Sequence, residues 1–311
     1  MRAPAHRLRA RELTLELGER PLLMGIVNAS PDSFSDGGLH DTLDAQLRLA
    51  SDLLDAGADI LDIGGESAST GSPPVEVQRE IERVAPLIER VAGKLGALVS
   101  VDTYKPAVAE AAVQAGARIV NDVSGLRDPG LADVCARSGA ALVLMHTRAA
   151  PRERLQDPDL YPDVTQEVLD FLGERIELAL SHGLEREQLI VDPGPDFAKT
   201  PAQTIRLLSE MERLHELERP LLMALSRKDF IGALTDRSPR ERSAGTLAAL
   251  GHGLDHGGHI FRVHDVAAAA DFIAVRDALT GHSSPGRDLA LGEELRYDRL
   301  AADRPAPPPA G

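Results

Sequence analysis

The stretches LVSVDT (Leu98–Thr103) and RIVNDVSG (Arg118–Gly125) are apolar runs of strand length, and each breaks off into Asp, Asn, Thr, Ser or Gly. Six more runs repeat the pattern: LLMGIVN (Leu22–Asn28), DILDIGG (Asp59–Gly65), ALVLMHT (Ala141–Thr147), LIVDPG (Leu189–Gly194), LLMALS (Leu221–Ser226) and HIFRVHD (His259–Asp265). Between the runs the apolar period changes. Val77, Ile81, Val84, Ile88 and Val91 advance by four, three, four and three, which places them on one helical face. Leu169, Leu172, Ile176 and Leu180 do the same, and DVAAAADFIAVRDAL supplies a helix after the last run. Runs that are apolar without alternation suit parallel strands covered on both faces. Eight βα units over about 250 residues predict an α/β protein with a (β/α)8 TIM barrel. An open doubly wound sheet is the alternative, and the count of eight favours closure. The barrel is expected over residues 21–281, preceded by an N-terminal extension (1–20) and followed by a Pro-, Arg- and Asp-rich tail (282–311) that reads as disordered.

The chain has 311 residues, 43% of them apolar, and a net charge of -15. That balance argues against nucleic acid as a partner, because an extended phosphate footprint needs a clustered basic face. No window is apolar for long enough to span a membrane, and the N-terminus lacks the core of a signal peptide. The single cysteine, Cys135, excludes a disulfide framework and fits a cytoplasmic location. Among 34 basic residues the lysines are only Lys94, Lys105, Lys199 and Lys228, which makes their placement informative.

In such a barrel the chemistry gathers at the C-terminal ends of the strands. There the chain carries Asn28, Asp62 with Glu66, Asp102, Asn121 with Asp122, His146, Asp192, Ser226-Arg227-Lys228, and Arg262 with His264. Arg262 and His264 are two apart on one strand and share a face, next to Asn28 across the closure, so the three form an anion site at the barrel mouth. Opposite them, Asp102, Asn121 and Asp192 suit an N–H-rich heterocycle, with Lys228 donating to it. Neither a Ser-His-Asp arrangement nor a reactive Cys is present, and His146 reads as structural.

In order, MGIVNASPDSFSDGG, GADILDIGGES, VSVDTYKP, ARIVNDVSG, LVLMHTRAAP, VDPGPDFAKT, LSRKDFIGAL and FRVHDV resemble the strand-end motifs of the dihydropteroate synthases, over about Leu22 to Leu279. The resemblance implies a transferase of folate biosynthesis that joins 6-hydroxymethyl-7,8-dihydropterin pyrophosphate to p-aminobenzoate and releases pyrophosphate. It implies that Asp102, Asn121, Asp192 and Lys228 hold the pterin, and that Asn28, Arg262 and His264 bind pyrophosphate, Asn28 together with Mg²⁺. Phe197 and Ser226 would border the p-aminobenzoate slot with the stem of Lys228. The first βα loop, with Ser30, Phe34 and Asp36, would close over the substrates, Phe34 offering an apolar face. Lys228, Arg262 and Asp36 would carry the catalytic roles, and a homodimer is expected.

Two segments depart from the family pattern. After Gly-Gly-Glu-Ser the usual Thr-Arg-Pro-Gly is replaced by Ala68-Ser69-Thr70-Gly71, which removes a cation. At the sixth strand end Asp196 and Ala198 replace glycines around Phe197, and Asp196 is expected to bring negative charge near a slot meant for a carboxylate. A paralogue that binds pterin pyrophosphate without turnover, and a methyltetrahydrofolate-type methyltransferase module, therefore stay open as alternatives.

Overall fold

The computed structural model describes residues 3–29, 43–66 and 74–296. An antiparallel hairpin, β1 (His6–Ala10) and β2 (Leu13–Leu17), opens the chain. The eight barrel strands follow: β3 (Leu22–Asn28), β4 (Ile60–Gly64), β5 (Leu98–Asp102), β6 (Ile119–Asp122), β7 (Ala141–Met145), β8 (Leu189–Asp192), β9 (Leu222–Met223) and β10 (Ile260–Val263). All pair in parallel, in the order β8-β7-β6-β5-β4-β3-β10-β9. A bridge between Val191 and Leu221, with the Val191 N–H on the Pro220 carbonyl at 3.0 Å, joins β8 to β9 and closes the ring. The strands are buried on both faces, as their unbroken apolar character requires.

Helices α1 (Leu43–Asp55), α2 (Val77–Lys94), α3 (Pro106–Ala115), α4 (Gly130–Ser138), α5 (Val164–Ser181), α6 (Pro201–Ser209), α7 (Asp229–Thr235), α8 (Ser243–Asp255) and α9 (Val266–Thr280) alternate with the strands. The expected stripe on α2 is only partly its buried face. Val84, Ile88 and Val91 are buried, whereas Val77 is 39% exposed and Glu80 is buried in its stead. Lys105 and Thr103 draw the Glu80 carboxylate inward and so set the helix's rotation.

The N-terminal extension is ordered where it forms the hairpin. Leu8, Ala10 and Leu17 join Met24, Ile60, Ile119, Val143, Ile190, Leu222 and Ile260 in one buried cluster, so the hairpin seals the barrel's lower end. Two five-residue strands carry too little periodicity to show this in the sequence. The chain divides into two compact units, Met1–Ala270 and Asp271–Gly311. The first holds the whole barrel sheet. The second, over its described residues, is the last part of α9 followed by irregular chain with a 3₁₀ turn at Glu293–Leu295. Residues 297–311, the second half of the expected disordered tail, lie outside the described residues. Among the described residues no helix is long and apolar enough to cross a membrane.

His259 stitches the β9–β10 seam. Its Nδ1 accepts the Leu221 N–H at 3.1 Å and its Nε2 donates to the Pro4 carbonyl at 2.8 Å, so the ring must be neutral. Burial is the main cause that lowers its pKa to about 4, against 6.5 for the free side chain. A histidine depressed in this way stabilises the fold above pH 6.5 and loses that contribution as pH falls towards 4, a swing of ~3 kcal/mol. In His259→Gln, which keeps a donor and an acceptor but does not titrate, the acid loss of unfolding free energy between pH 6.5 and 4 is expected to shrink by about that amount. Urea titrations across the range check it.

Candidate active site

Four strand ends meet around one guanidinium. Arg262, on β10, donates from Nε to Asp62 Oδ2 at 2.7 Å and from Nη2 to Asp102 Oδ2 at 2.9 Å. Asn121 donates from Nδ2 to the same Asp62 oxygen at 3.1 Å. This corrects the expected layout, in which Arg262 faces the carboxylates across the mouth: it lies between them. A guanidinium with a side chain only 21% exposed needs counter-charge, and Asp62, fully buried, supplies it. Burial raises the Asp102 carboxyl to about 7, with Arg262 opposing the shift and Asp62 adding to it. The Asp62 Oδ1 is buried with no hydrogen-bond partner, and Arg262 Nη1 makes no hydrogen bond among the described residues. The cluster thus keeps one acceptor and one donor edge unused. Asp122, by contrast, spends its carboxylate on the Ser124 and Leu126 N–H groups and is a turn residue.

The second group is built by the loop after β8. Asp192, buried, accepts the Gly194 N–H at 2.7 Å, and burial raises its pKa while Lys228 pulls the other way. Gly194 sits at a φ of +63°, and a Cβ there would lie 2.1 Å from the His146 carbonyl oxygen, so only glycine fits. Phe197 presents its ring to Lys228, whose Nζ lies 4.4 Å from the ring centroid. Burial lowers the Lys228 pKa, and Asp196 and Asp192 oppose that shift. Ser226 and His264 belong together: His264 Nδ1 is 2.9 Å from Ser226 Oγ. His264 is exposed to solvent at the mouth, and crowding by the surrounding chain together with the charges of Arg227, Arg262 and Lys228 lowers its pKa. His146 is fully buried beneath the loop, in line with a structural role.

Asp196 has a second task beyond the one its sequence position suggested. Its Oδ2 accepts the N–H groups of Asp229 and Phe230 at the start of α7, and its Oδ1 accepts from Thr204 Oγ1 at 3.0 Å. The carboxylate caps a helix while remaining in the cavity lining beside Lys228, so the expected negative charge is near the slot but engaged by the α7 amides and Thr204. Asp196 and Ala198 both hold left-handed backbone, the region that favours glycine, at φ 65° and 51°. The two substitutions should therefore differ in sign. Ala198→Gly removes left-handed strain and is expected to stabilise by ~0.5–1 kcal/mol. Asp196→Gly relieves similar strain but forfeits the cap, and a net loss of ~1 kcal/mol is expected. Denaturant midpoints of the two variants check the opposition.

Sequence reasoning named Glu66 at its strand end and marked Lys105 as informative but missed the set that Glu66 gathers. Glu66 accepts from the Val75 N–H (2.9 Å), Tyr104 Oη (2.8 Å), Lys105 Nζ (2.7 Å) and Arg152 Nη1 (3.3 Å), and Lys105 also reaches Glu80 at 2.6 Å. These side chains come from four separate segments, so no local pattern marks them. The scarcity of lysine was the available signal: Lys105, Lys199 and Lys228 all lie at this end of the barrel. Glu66, Tyr104 and Arg152 share with Asp102, Phe197 and Lys228 the lining of a cavity of about 630 Å³. Asn28, half-buried, ends β3 beside β10. Ser30, Phe34 and Asp36, and the altered segment Ala68-Ser69-Thr70, lie outside the described residues.

Comparison with known proteins accounts for this constellation. Residues 24–264 match the pterin-binding enzyme family. The dihydropteroate synthase of Bacillus subtilis is 41% identical over 266 residues, covering 85% of this chain and 90% of that protein. The Escherichia coli K12 enzyme of the same name is 38% identical over 94% of this chain and its own full length. The Xanthomonas albilineans dihydropteroate synthase, solved with 4-aminobenzoic acid, superposes with a TM-score of 0.82 at 43% identity, covering 91% of this chain and 100% of that one. Relatives this similar over nearly their whole length favour the synthase over a methyltransferase-type module. With a closed barrel that brings Asp62, Asp102, Asn121 and Arg262 together beside Lys228 and Phe197, the chain belongs to the pterin-binding enzymes, among the dihydropteroate synthases of folate biosynthesis.

Proposed function

We propose that the chain joins 6-hydroxymethyl-7,8-dihydropterin pyrophosphate to p-aminobenzoate by way of a pterin cation. The carbon–oxygen bond at the pterin methylene breaks with both electrons leaving on pyrophosphate, the aniline nitrogen forms the new carbon–nitrogen bond, and a proton is lost from that nitrogen. The observation that carries this reading is the pairing, at the barrel's C-terminal end, of a carboxylate–guanidinium floor with a cation held over an aromatic ring.

In this reading Asp102, Asn121 and Asp192 hold the pterin and stabilise its positive charge, while Lys228 donates to it. Arg262, through the unused Nη1, with His264 and Asn28, receives the departing pyrophosphate. Phe197, Ser226 and the Lys228 stem border p-aminobenzoate. For Ser30, Phe34 and Asp36, which lie outside the described residues, the proposed roles are those the family resemblance implies. Among the described residues no set of three or more His, Cys, Asp or Glu is arranged to hold a metal. That suits Mg²⁺ bound as it usually is with phosphates, through one or two protein oxygens, water and the substrate itself. Asn28 offers such an oxygen, and Mg²⁺ bound there would neutralise charge on the leaving group.

The protein is proposed to be cytoplasmic, which its lone, buried Cys135 accommodates. A homodimer through outer-face helices is also proposed, and Val275 and Leu279, 60% and 83% exposed and four residues apart on α9, offer an apolar strip for it. Light scattering reads the oligomeric state. The function is tested by turnover: purified protein with dihydropterin pyrophosphate, Mg²⁺ and p-aminobenzoate, following dihydropteroate. Product at an ordinary enzymatic rate is expected and would mean that Ala68-Ser69-Thr70 is tolerated. Tight pterin pyrophosphate binding without product would overturn the synthase reading in favour of a binding paralogue.

A further inference from the structure

Lys199 is among the largest fully buried side chains of the described residues, and nothing in the proposed reaction uses it. Its ammonium has three hydrogens and three acceptors: His146 Nδ1 at 2.7 Å, the Gly194 carbonyl at 2.9 Å and the Phe197 carbonyl at 3.1 Å. His146 can accept because burial holds its ring neutral, with a pKa near 3. Burying a cation is costly, and burial brings the Lys199 pKa down to about 7, so an arrangement that matches every N–H of the charged form has a local purpose.

That purpose is visible in the backbone it grips. Gly194, Asp196 and Ala198 all have left-handed φ values, of 63°, 65° and 51°, within five residues. Two of them are not glycine, and such a backbone persists only where its surroundings over-determine it. The surroundings are Asp196 on α7 and Thr204, Tyr161 Oη on the Ala198 carbonyl at 2.8 Å, and Lys199 on the carbonyls to either side of Asp196. Phe197 stands at the centre of this segment with its ring under Lys228.

We infer that Lys199 is a positioning residue: with His146 it clamps the loop after β8 and so holds the Phe197 ring against Lys228, setting one wall of the second-substrate slot. It touches neither substrate and acts through Phe197. The kinetic side of this inference rests on the synthase reading, and the structural side does not.

The test is Lys199→Met, which fills the same volume without the charge. Amide hydrogen exchange is expected to accelerate at residues 194–198 and to stay unchanged in the other barrel strands. The KM for p-aminobenzoate is expected to rise about tenfold while the Kd for pterin pyrophosphate moves by less than about twofold. In a Phe197→Ala background the same change should add less than about twofold, because residues that act as a unit are not additive. Should Lys199→Met fail to fold, the His146 pair decides: Asn keeps an acceptor and should behave as wild type, whereas Leu should reproduce the local exchange and the KM rise. Unchanged exchange at 194–198, acceleration spread through the whole barrel, or effects that multiply with Phe197→Ala would each overturn the inference. A wild-type protein without turnover would remove the synthase reading alone, since the exchange arm still decides the clamp.

Discussion

Arg262→Leu is expected to destabilise the fold by ~3–5 kcal/mol and to remove synthase turnover. The stability loss follows from the two carboxylates left behind. Asp62 is fully buried and Asp102 largely so, and both depend on the same guanidinium. Removing one partner of a buried ion pair leaves the other charge without compensation, which costs about that much, more than the pair itself contributes. The loss should also depend on pH with a definite sign. The Asp102 carboxyl already titrates near 7, and Arg262 is the main influence holding it down. Without Arg262 it rises further, so at pH 5 Asp102 is the neutral acid with or without Arg262 and adds little to the loss, whereas at pH 8 the variant must still hold its carboxyl protonated to stay folded and the loss is larger. Arg262→Lys restores the charge but cannot span two carboxylates as a fork, and recovery of only part of the stability is expected. Urea denaturation of both variants at pH 5 and 8 measures this. A loss under ~1 kcal/mol that is flat with pH would mean that the cluster is solvated and that Arg262 is not its keystone.

Asp192→Asn and Lys228→Ala are each expected to weaken pterin pyrophosphate binding by about 100-fold or more, the scale of a lost charge-assisted hydrogen bond in a desolvated site. Asp192→Asn is the cleaner of the two. The Asn oxygen can still accept the Gly194 N–H, so the loop keeps its shape while the charge goes. Lys228→Ala also strips the cation from the face of Phe197 and frees Asp192 from its strongest side-chain counter-charge. Calorimetry with pterin pyrophosphate, beside circular dichroism to establish that the variants are folded, reads the effect. Near-wild-type binding by both would sink the pterin assignment even if turnover fell, because the fault would then lie with the second substrate.

The departure at the sixth strand end shows how a sequence pattern and its physical meaning can part. Asp for Gly beside a substrate slot reads as added negative charge. In the folded chain the carboxylate lines the cavity beside Lys228 but is engaged by the α7 amides and Thr204, and the residue ties the loop after β8 to the start of α7. The backbone at Asp196 is left-handed, as a glycine position would allow, while the electrostatic consequence depends on a partner more than thirty positions away.

By itself the sequence determined the barrel. Unbroken apolar runs, the change of period between them and their count of eight are local quantities, and burial of a strand on both faces leaves them written along the chain. It also determined which residues stand at the strand ends, since a parallel barrel places every strand's C-terminus on one face. Only the tertiary structure decided what those residues do to one another. That Arg262 lies among Asp62, Asp102 and Asn121 rather than across from them, that Glu66 gathers Tyr104, Lys105 and Arg152, and that Lys199 is spent on His146 and two carbonyls are all contacts between segments far apart in the chain. A buried charge selects its partners by geometry and desolvation after the chain has closed, and neither has a period that a sequence can display.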